Sequence, residues 1–238
     1  MQLTPDDNVC CPPPLFHCFG LVIGFLASFT HGSCIVYPSR LFDAGTVLDS
    51  IVRERCSILL GVPTMFTAIL DQNRVKQYKI KTLRTVLAAG SPVPSVLMAR
   101  MQQEFGIRGL LIAYGMTETS PVTFMTSLGD SLDRQLHTVG RVLAHTSAKI
   151  IDKSGNVVER GVRGEICTSG YALQRGYWQD EERTKEVMKL DSNGVVWMHT
   201  GDEGVIDEAG FCSVTGRIKD MIIRGKQALP KRVPDRKS

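Results

Sequence analysis

Between Tyr114 and Ser120 the chain reads Tyr-Gly-Met-Thr-Glu-Thr-Ser: an aromatic ring, a glycine, three hydroxyls and one carboxylate in seven residues. Hydroxyls donate to phosphate oxygens, and a carboxylate holds a hard cation such as Mg²⁺. The set suits a phosphate-plus-magnesium site, although on its own it is better explained as a capped loop-to-helix junction, and only its context favours the site. Three other stretches offer compatible chemistry. Upstream, Ala88-Ala89-Gly90-Ser91-Pro92 follows an apolar run, and its glycine permits close approach of a flat base. Downstream, His199-Thr200-Gly201-Asp202 places an acid that can accept from sugar hydroxyls or cap the amides of a turn. Gly216-Arg217-Ile218-Lys219-Asp220 supplies cations, for phosphate and ribose or for a solvated strand edge.

Those stretches need elements to position them. Asp43 can cap a helix whose apolar positions are Ala44, Val47, Leu48, Ile51 and Val52, with Arg53 and Arg55 at the end that favours cations. Thr64–Asp71 and Ser95–Phe105 also carry helical patterns. The short apolar runs Ile58–Val62, Leu83–Ala89 and Leu110–Tyr114 alternate with them as strands. Strand-helix-strand alternation predicts an α/β fold, a parallel sheet with helices on both faces over about residues 15–125. The Tyr114–Ser120 loop would then leave the carboxyl end of a strand, where such sheets bind ligands. From about residue 137 to 220 the texture becomes mostly antiparallel β: Ser147–Asp152, Gly164–Ser169, Val195–Thr200 and Phe211–Thr215 are separated by Gly, Asn and Asp turns. Asp180–Met188 is the one helical insert. We therefore expect an α/β subdomain over 1–135, a β-rich subdomain over 136–225 and a disordered basic tail over 226–238.

The balance of residues narrows the function classes. The 238 residues are 43% hydrophobic and 22% charged, ordinary globular values that exclude collagen, coiled coil and wholesale disorder. The formal charge of +4 sits entirely in the tail, where Lys226, Lys231, Arg232, Arg236 and Lys237 face only Asp235. The body has no net charge to draw it to nucleic acid, and aromatics at 7% without interleaved cations give RNA binding no support. Seven cysteines without a C-x-x-C pair fit buried thiols in a reducing intracellular compartment better than disulfides or zinc. The start is acidic rather than a secretory signal. Cys18–Phe29 is apolar but only 12 residues long, short of the roughly 20 a span needs, so we expect a buried helix and no transmembrane segment. No G-x-G-x-x-G follows a strand, no G-x-S-x-G occurs, and Gly225-Lys226 is not a phosphate-binding P-loop.

In their order along the chain, the four chemical stretches resemble the adenylate-forming enzymes: acyl-CoA synthetases, luciferases and peptide-synthetase adenylation domains. Pro12–Gly20 is similar to the block lining their acyl pocket, and Gly164–Cys167 with Gly176–Trp178 to the block before their ribose-binding acid. The likeness covers residues 5–225. Within the superfamily, Tyr114–Val122 and Gly216–Gly225 are most similar to medium-chain and related fatty acyl-CoA synthetases. The resemblance implies the central part of that family's N-terminal domain and a two-step reaction. ATP converts a carboxylic acid to an acyl-adenylate, and CoA then displaces AMP. It also implies roles. Tyr114 would pack on adenine, with Gly90, Ser91 and Gly115 lining the same pocket. Thr117 would bond the α-phosphate and Glu118 would hold Mg²⁺. Asp202 would accept from ribose, Arg217 would contact ribose or phosphate, His17 would orient the acyl carboxylate, and Lys219 would be the hinge of a lid domain.

Two family parts have no counterpart in the sequence: the Ser/Thr/Gly-rich loop for the β- and γ-phosphates, and the lid with its catalytic lysine. After Gly225 the family pattern of a second Gly and Glu-Asn gives way to Lys226–Ser238, which we read as unrelated sequence, an artefact of the reading frame. Little complete turnover is therefore expected from this chain alone, with full use of ATP and CoA in question. The alternatives are a non-catalytic nucleotide- or acyl-binding remnant, a subunit completed by a second chain, and a peptide-synthetase adenylation domain. The last is disfavoured because Phe16-His17-Cys18-Phe19 carries no acid to meet an amino group. Cytoplasm, mitochondrion and peroxisome are not distinguished, although Arg236-Lys237-Ser238 is not the peroxisomal Ser-Lys-Leu signal.

Overall fold

A computed structural model describes residues 1–218 and the backbone of Met221–Arg224 and Gln227–Pro230. Lys219, Asp220, Gly225, Lys226 and residues 231–238 lie outside the described residues, and with them the expected hinge and most of the basic tail. The chain divides into two compact units, Met1–Arg141 and the remainder from Val142.

The first unit is built on parallel strands. β1 (Asn8–Cys10) is followed by helix α1, which is π-helical over Phe19–Leu26 and α-helical over Ala27–Thr30. Then come β2 (Cys34–Val36), α2 (Ala44–Arg53), β3 (Ile58–Gly61), α3 (Pro63–Lys76), β4 (Thr85–Ala88), α4 (Ser95–Phe105) and β5 (Gly109–Tyr114). A 3₁₀ turn at Thr117–Thr119 leads to β6 (Phe124–Met125), α5 (Leu132–His137) and the two-residue β7 (Arg141–Val142). The strand order is β2-β1-β3-β4-β5-β6-β7. The pairs from β2 to β5 are parallel, and β6 joins β5 antiparallel.

Alternate strand residues go to opposite faces, as a period of two requires. Cys10, Leu59, Val86 and Leu110 pack with Val47, Ile51, Phe66, Met98 and Met101 from α2, α3 and α4. Val9, Leu60, Leu87 and Leu111 pack with Phe19 and Ile23 from α1 on the other face, but α1 is not the buried helix expected: one side packs on the sheet and Leu21, Phe25, Leu26 and Phe29 stay exposed. Both faces are covered, as the uninterrupted apolar runs predict. The expected cap holds as well: the Asp43 carboxylate accepts from the Thr46 amide at 2.7 Å. α3 outruns its expected span at both ends. Pro63 suits its first turn, and the polar residues beyond Asp71 continue it to Lys76, where Gln77 adopts a left-handed conformation. A partly buried ion pair ties the chain start to the entry of β4. The Arg84 guanidinium grips both Asp7 oxygens, at 2.9 and 2.7 Å, and holds that carboxyl well below the usual carboxylate range.

The second unit is antiparallel. β8 (Thr146–Ile151), β9 (Gly164–Gly170), β10 (Met188–Leu190), β11 (Val196–Ile206) and β12 (Cys212–Arg217) form one sheet in the order β10-β11-β9-β8, with β12 on β11. Helix α6 (Glu181–Val187), shorter by one residue at each end than the expected insert, is capped by Asp180, whose carboxylate accepts from the Arg183 amide. The backbones of β13 (Met221–Arg224) and β14 (Gln227–Pro230) pair with each other. Ile150, Ile166, Cys167, Met198, Ile206, Phe211 and Cys212 are buried in this unit. All seven cysteines are free thiols. No helix of the described residues is long and apolar enough to cross a membrane.

Candidate nucleotide and acyl site

Each unit carries its own share of the candidate residues. In the first, Tyr114 ends β5 and pairs with Phe124, their rings 6.1 Å apart. The next residue has a steric job. A Cβ on Gly115 would collide with the Pro121 carbonyl oxygen and lie 2.8 Å from its carbon, so the strand can turn here only without a side chain.

The three hydroxyls of the loop also part company. Thr119 is buried, and its Oγ1 accepts from the Met116 amide at 3.1 Å and donates to the Met116 carbonyl at 2.9 Å. That hydroxyl fastens the turn and does not face a ligand. Ser120 follows in a left-handed conformation. Thr117 is exposed and Glu118 is half-buried in the first turn of the 3₁₀ segment. These two retain the groups a phosphate and a hard cation require, a hydroxyl and a carboxylate oxygen, which fits Mg²⁺ chemistry.

The acyl-pocket block lies against this loop. Cys18 Sγ is 3.7 Å from Thr117 Oγ1, although 99 positions separate the two residues. His17 is exposed. Its Nδ1 accepts from the Phe19 amide at 3.0 Å, with Cys18 Sγ 3.8 Å away. The block is held by its backbone, since a Cβ on Gly20 would strike the Pro14 carbonyl oxygen. Gly90 and Ser91 are exposed just past the end of β4. His17, Gly90, Ser91, Tyr114, Gly115, Thr117 and Glu118 thus all follow sheet strands or the loops beside them.

In the second unit, Asp202 lies on β11 and pairs in register with Arg217 on β12. Arg217 Nε donates to Asp202 Oδ1 at 3.0 Å, so the cation read from the sequence is a partner of the acid read from the sequence. Asp202 is buried and Arg217 exposed. The acid sits in a break of the ladder. Met198 pairs with Thr168 and His199 with Cys167, and pairing resumes only at Glu203 with Glu165. Thr200, Gly201 and Asp202 therefore bulge opposite Ile166. Thr200 Oγ1 donates to the Ile166 carbonyl at 2.8 Å and accepts from the Asp202 amide at 3.1 Å.

Sequence reasoning missed Glu165, which is half-buried beside this bulge. Its Oε1 accepts from the Gly201 amide at 3.0 Å and its Oε2 from His199 Nδ1 at 3.1 Å. Its ligand-like atoms lie within 4.8 Å of those of Cys167 and His199, a group with metal-donor chemistry. Both Glu165 oxygens already take protein donors. Burial, with the Glu165 charge second, pushes the Cys167 thiol up to about 12, away from the thiolate a metal binds. The only signal for Glu165 in the sequence was its place two residues before Cys167 in the block preceding Asp202.

A doubly covered parallel sheet with hydroxyl- and carboxylate-bearing loops beyond its strands makes this an α/β protein of the kind that binds ligands at its strand ends. A family model described as AMP-binding enzyme matches residues 1–178, and the chain belongs to that family. It is 52% identical over 225 residues to the acyl-CoA ligase sidI of Aspergillus fumigatus, covering 94% of this chain and 38% of that protein. It is 41% identical over 226 residues to the mitochondrial medium-chain acyl-CoA ligase ACSF2 of Bos taurus, covering 94% and 36%. The chain thus spans under two-fifths of the length of these two curated relatives. Among solved structures it is similar to ATP-bound MatB from Rhodopseudomonas palustris, with a TM-score of 0.80, 29% identity, and 94% of this chain and 43% of that one covered. It is also similar to the AMP complex of O-succinylbenzoate coenzyme A synthetase from Bacillus subtilis, with a TM-score of 0.76, 29% identity, and 95% and 44% covered.

Proposed function

We propose that this chain carries the adenosine- and carboxylate-handling part of an AMP-forming acyl-CoA synthetase, which activates a fatty or related carboxylic acid as its acyl-adenylate. The observation that carries the reading is the 3.7 Å approach of Cys18 to Thr117. Adenylation joins a carboxylate oxygen to the α-phosphorus, so the residues that orient the acid and those that hold the α-phosphate must be neighbours. His17 stands beside Cys18, and Thr117 offers its hydroxyl on the other side of the contact.

In this reading Tyr114 packs on adenine beside Gly90, Ser91 and Gly115, and Asp202 accepts from the ribose hydroxyls. Arg217 aligns Asp202 through their bond and keeps positive charge near the sugar. Glu118 would hold Mg²⁺, which when bound neutralises phosphate charge. The absence of any acid in Phe16–Phe19 supports a plain carboxylic acid over an amino acid, and exposed Leu21, Phe25 and Phe29 on α1 support an apolar one. The lengths spanned in the relatives support CoA transfer and full ATP turnover being impaired in these 238 residues by themselves.

Two measurements test this. AMP binding to the purified chain by calorimetry should fall roughly 10- to 100-fold in Asp202→Ala, the loss of a charge-assisted bond. Pyrophosphate release should be followed with ATP, Mg²⁺ and straight-chain acids from butyrate to palmitate. Binding of AMP with little release is the expected result. Acid-dependent release abolished by Asp202→Ala would show that the chain turns over unaided. No AMP binding at all would sink the nucleotide reading.

A further inference from the structure

We infer that Glu165 is a positioning residue that fixes the Thr200–Gly201–Asp202 bulge and thereby aims the Asp202 carboxylate at the ribose. The inference rests on the ribose-binding reading of Asp202.

The argument starts from the ladder. A bulge leaves backbone amides without cross-strand partners, and an amide left unpaired away from water is costly. Three residues of β11 face Ile166 alone here. Each of the two amides nearest the acid is taken by a side chain: Gly201 N–H by Glu165 at 3.0 Å, and Asp202 N–H by Thr200 at 3.1 Å. Glu165 is anchored in turn. It sits where strand pairing with Glu203 resumes, and its other oxygen takes His199 Nδ1, directly before the bulge. One carboxylate therefore bonds both the last paired residue and the apex of the bulge.

The apex conformation depends on such a tie. Gly201 has φ +71°, and its carbonyl accepts from Ile218 N–H at 2.9 Å. The two peptides flanking its Cα are thus each held, Thr200–Gly201 by Glu165 on its N–H and Gly201–Asp202 by Ile218 on its carbonyl. Turning either peptide would swing Asp202 away from Arg217. A side chain that fixes the peptide fixes where the Asp202 oxygens point, without touching the nucleotide.

The test is a ratio, because general loosening would weaken every nucleotide alike. Calorimetry would give affinities of the 238-residue chain for AMP and for 2′,3′-dideoxy-AMP, which lacks the hydroxyls. The unsubstituted chain should prefer AMP by roughly tenfold or more, and Asp202→Ala should erase that preference. Glu165→Ala should erase most of it while leaving dideoxy-AMP affinity within about twofold, since that ligand makes no use of Asp202. Glu165→Asp, whose shorter arm cannot reach both Gly201 and His199, should do the same and serves if the alanine variant does not fold. Glu165→Gln keeps an oxygen for Gly201 N–H and an amide beside His199 Nδ1, and should restore the preference.

If Asp202→Ala loses the preference while both shortened Glu165 variants keep it, the positioning inference is overturned and the ribose reading stands. If the Glu165 variants weaken both nucleotides equally, the residue is only structural and the inference is overturned too. If Asp202→Ala keeps the preference, or the unsubstituted chain does not bind AMP, the ribose reading itself falls and takes this one with it.

Discussion

The Tyr114–Ser120 loop and the Thr200–Asp202 bulge present similar chemistry by different constructions. The first leaves the end of a parallel strand, where the ladder has already stopped and the backbone is free to turn. Its shape is set by contact: Gly115 lies against the Pro121 carbonyl, and Thr119 folds its hydroxyl back onto Met116. The second interrupts an antiparallel strand of 11 residues that continues on both sides. Its shape is set by side-chain bonds from Glu165 and Thr200 to backbone amides that lack partners on β9, while Arg217 holds the Asp202 carboxylate. A glycine is needed in both, for different reasons. Gly115 is needed for space. Gly201 has open space around its Cβ position and is needed for its positive φ. Placing a functional residue at a strand end asks for steric fit, whereas placing one inside a strand asks for substitute hydrogen bonds.

That contrast can be broken by substitution. The largest effect is expected for Gly115→Ala, which must push Pro121 and the loop apart. We expect a loss of about 3 kcal/mol in urea unfolding, as for overpacking of a tight site, together with loss of AMP binding. Next comes Thr119→Val, which leaves the Met116 amide without its partner. It should cost about 2 kcal/mol and weaken AMP binding less than Gly115→Ala does. The smallest is Gly201→Ala, which meets no atoms but forces a β-carbon into a left-handed conformation; about 1 kcal/mol is expected. Gly201→Asn, better suited to that conformation, should recover part of it. If Gly201→Ala proved as damaging as Gly115→Ala, space rather than backbone angle would govern the bulge, and the distinction would fail.

Much of this was legible beforehand. The uninterrupted apolar runs of β3, β4 and β5 announced strands buried on both faces, and the structure covers both. The cap at Asp43 was read correctly because capping depends on a few neighbouring residues. Reading failed where a distant partner decides. Val195–Thr200 was expected to end at Thr200, because Gly201 and Asp202 look like a turn. The strand instead runs to Ile206 through a bulge, since β9 and β12 pair with it on either side. The loop hydroxyls looked equivalent, but burial turned Thr119 inward and left Thr117 exposed.

Sequence alone therefore determined the class of elements, the order of the chemical stretches and the family resemblance, because periodicity, capping and motif spacing are local properties of the chain. Tertiary structure alone decided that Cys18 meets Thr117 across 99 positions, that Arg217 bonds Asp202, and that Glu165 closes the bulge. Each of those contacts joins residues on different strands or loops. Strand register and sheet order bring them together, and no local pattern in the chain encodes either.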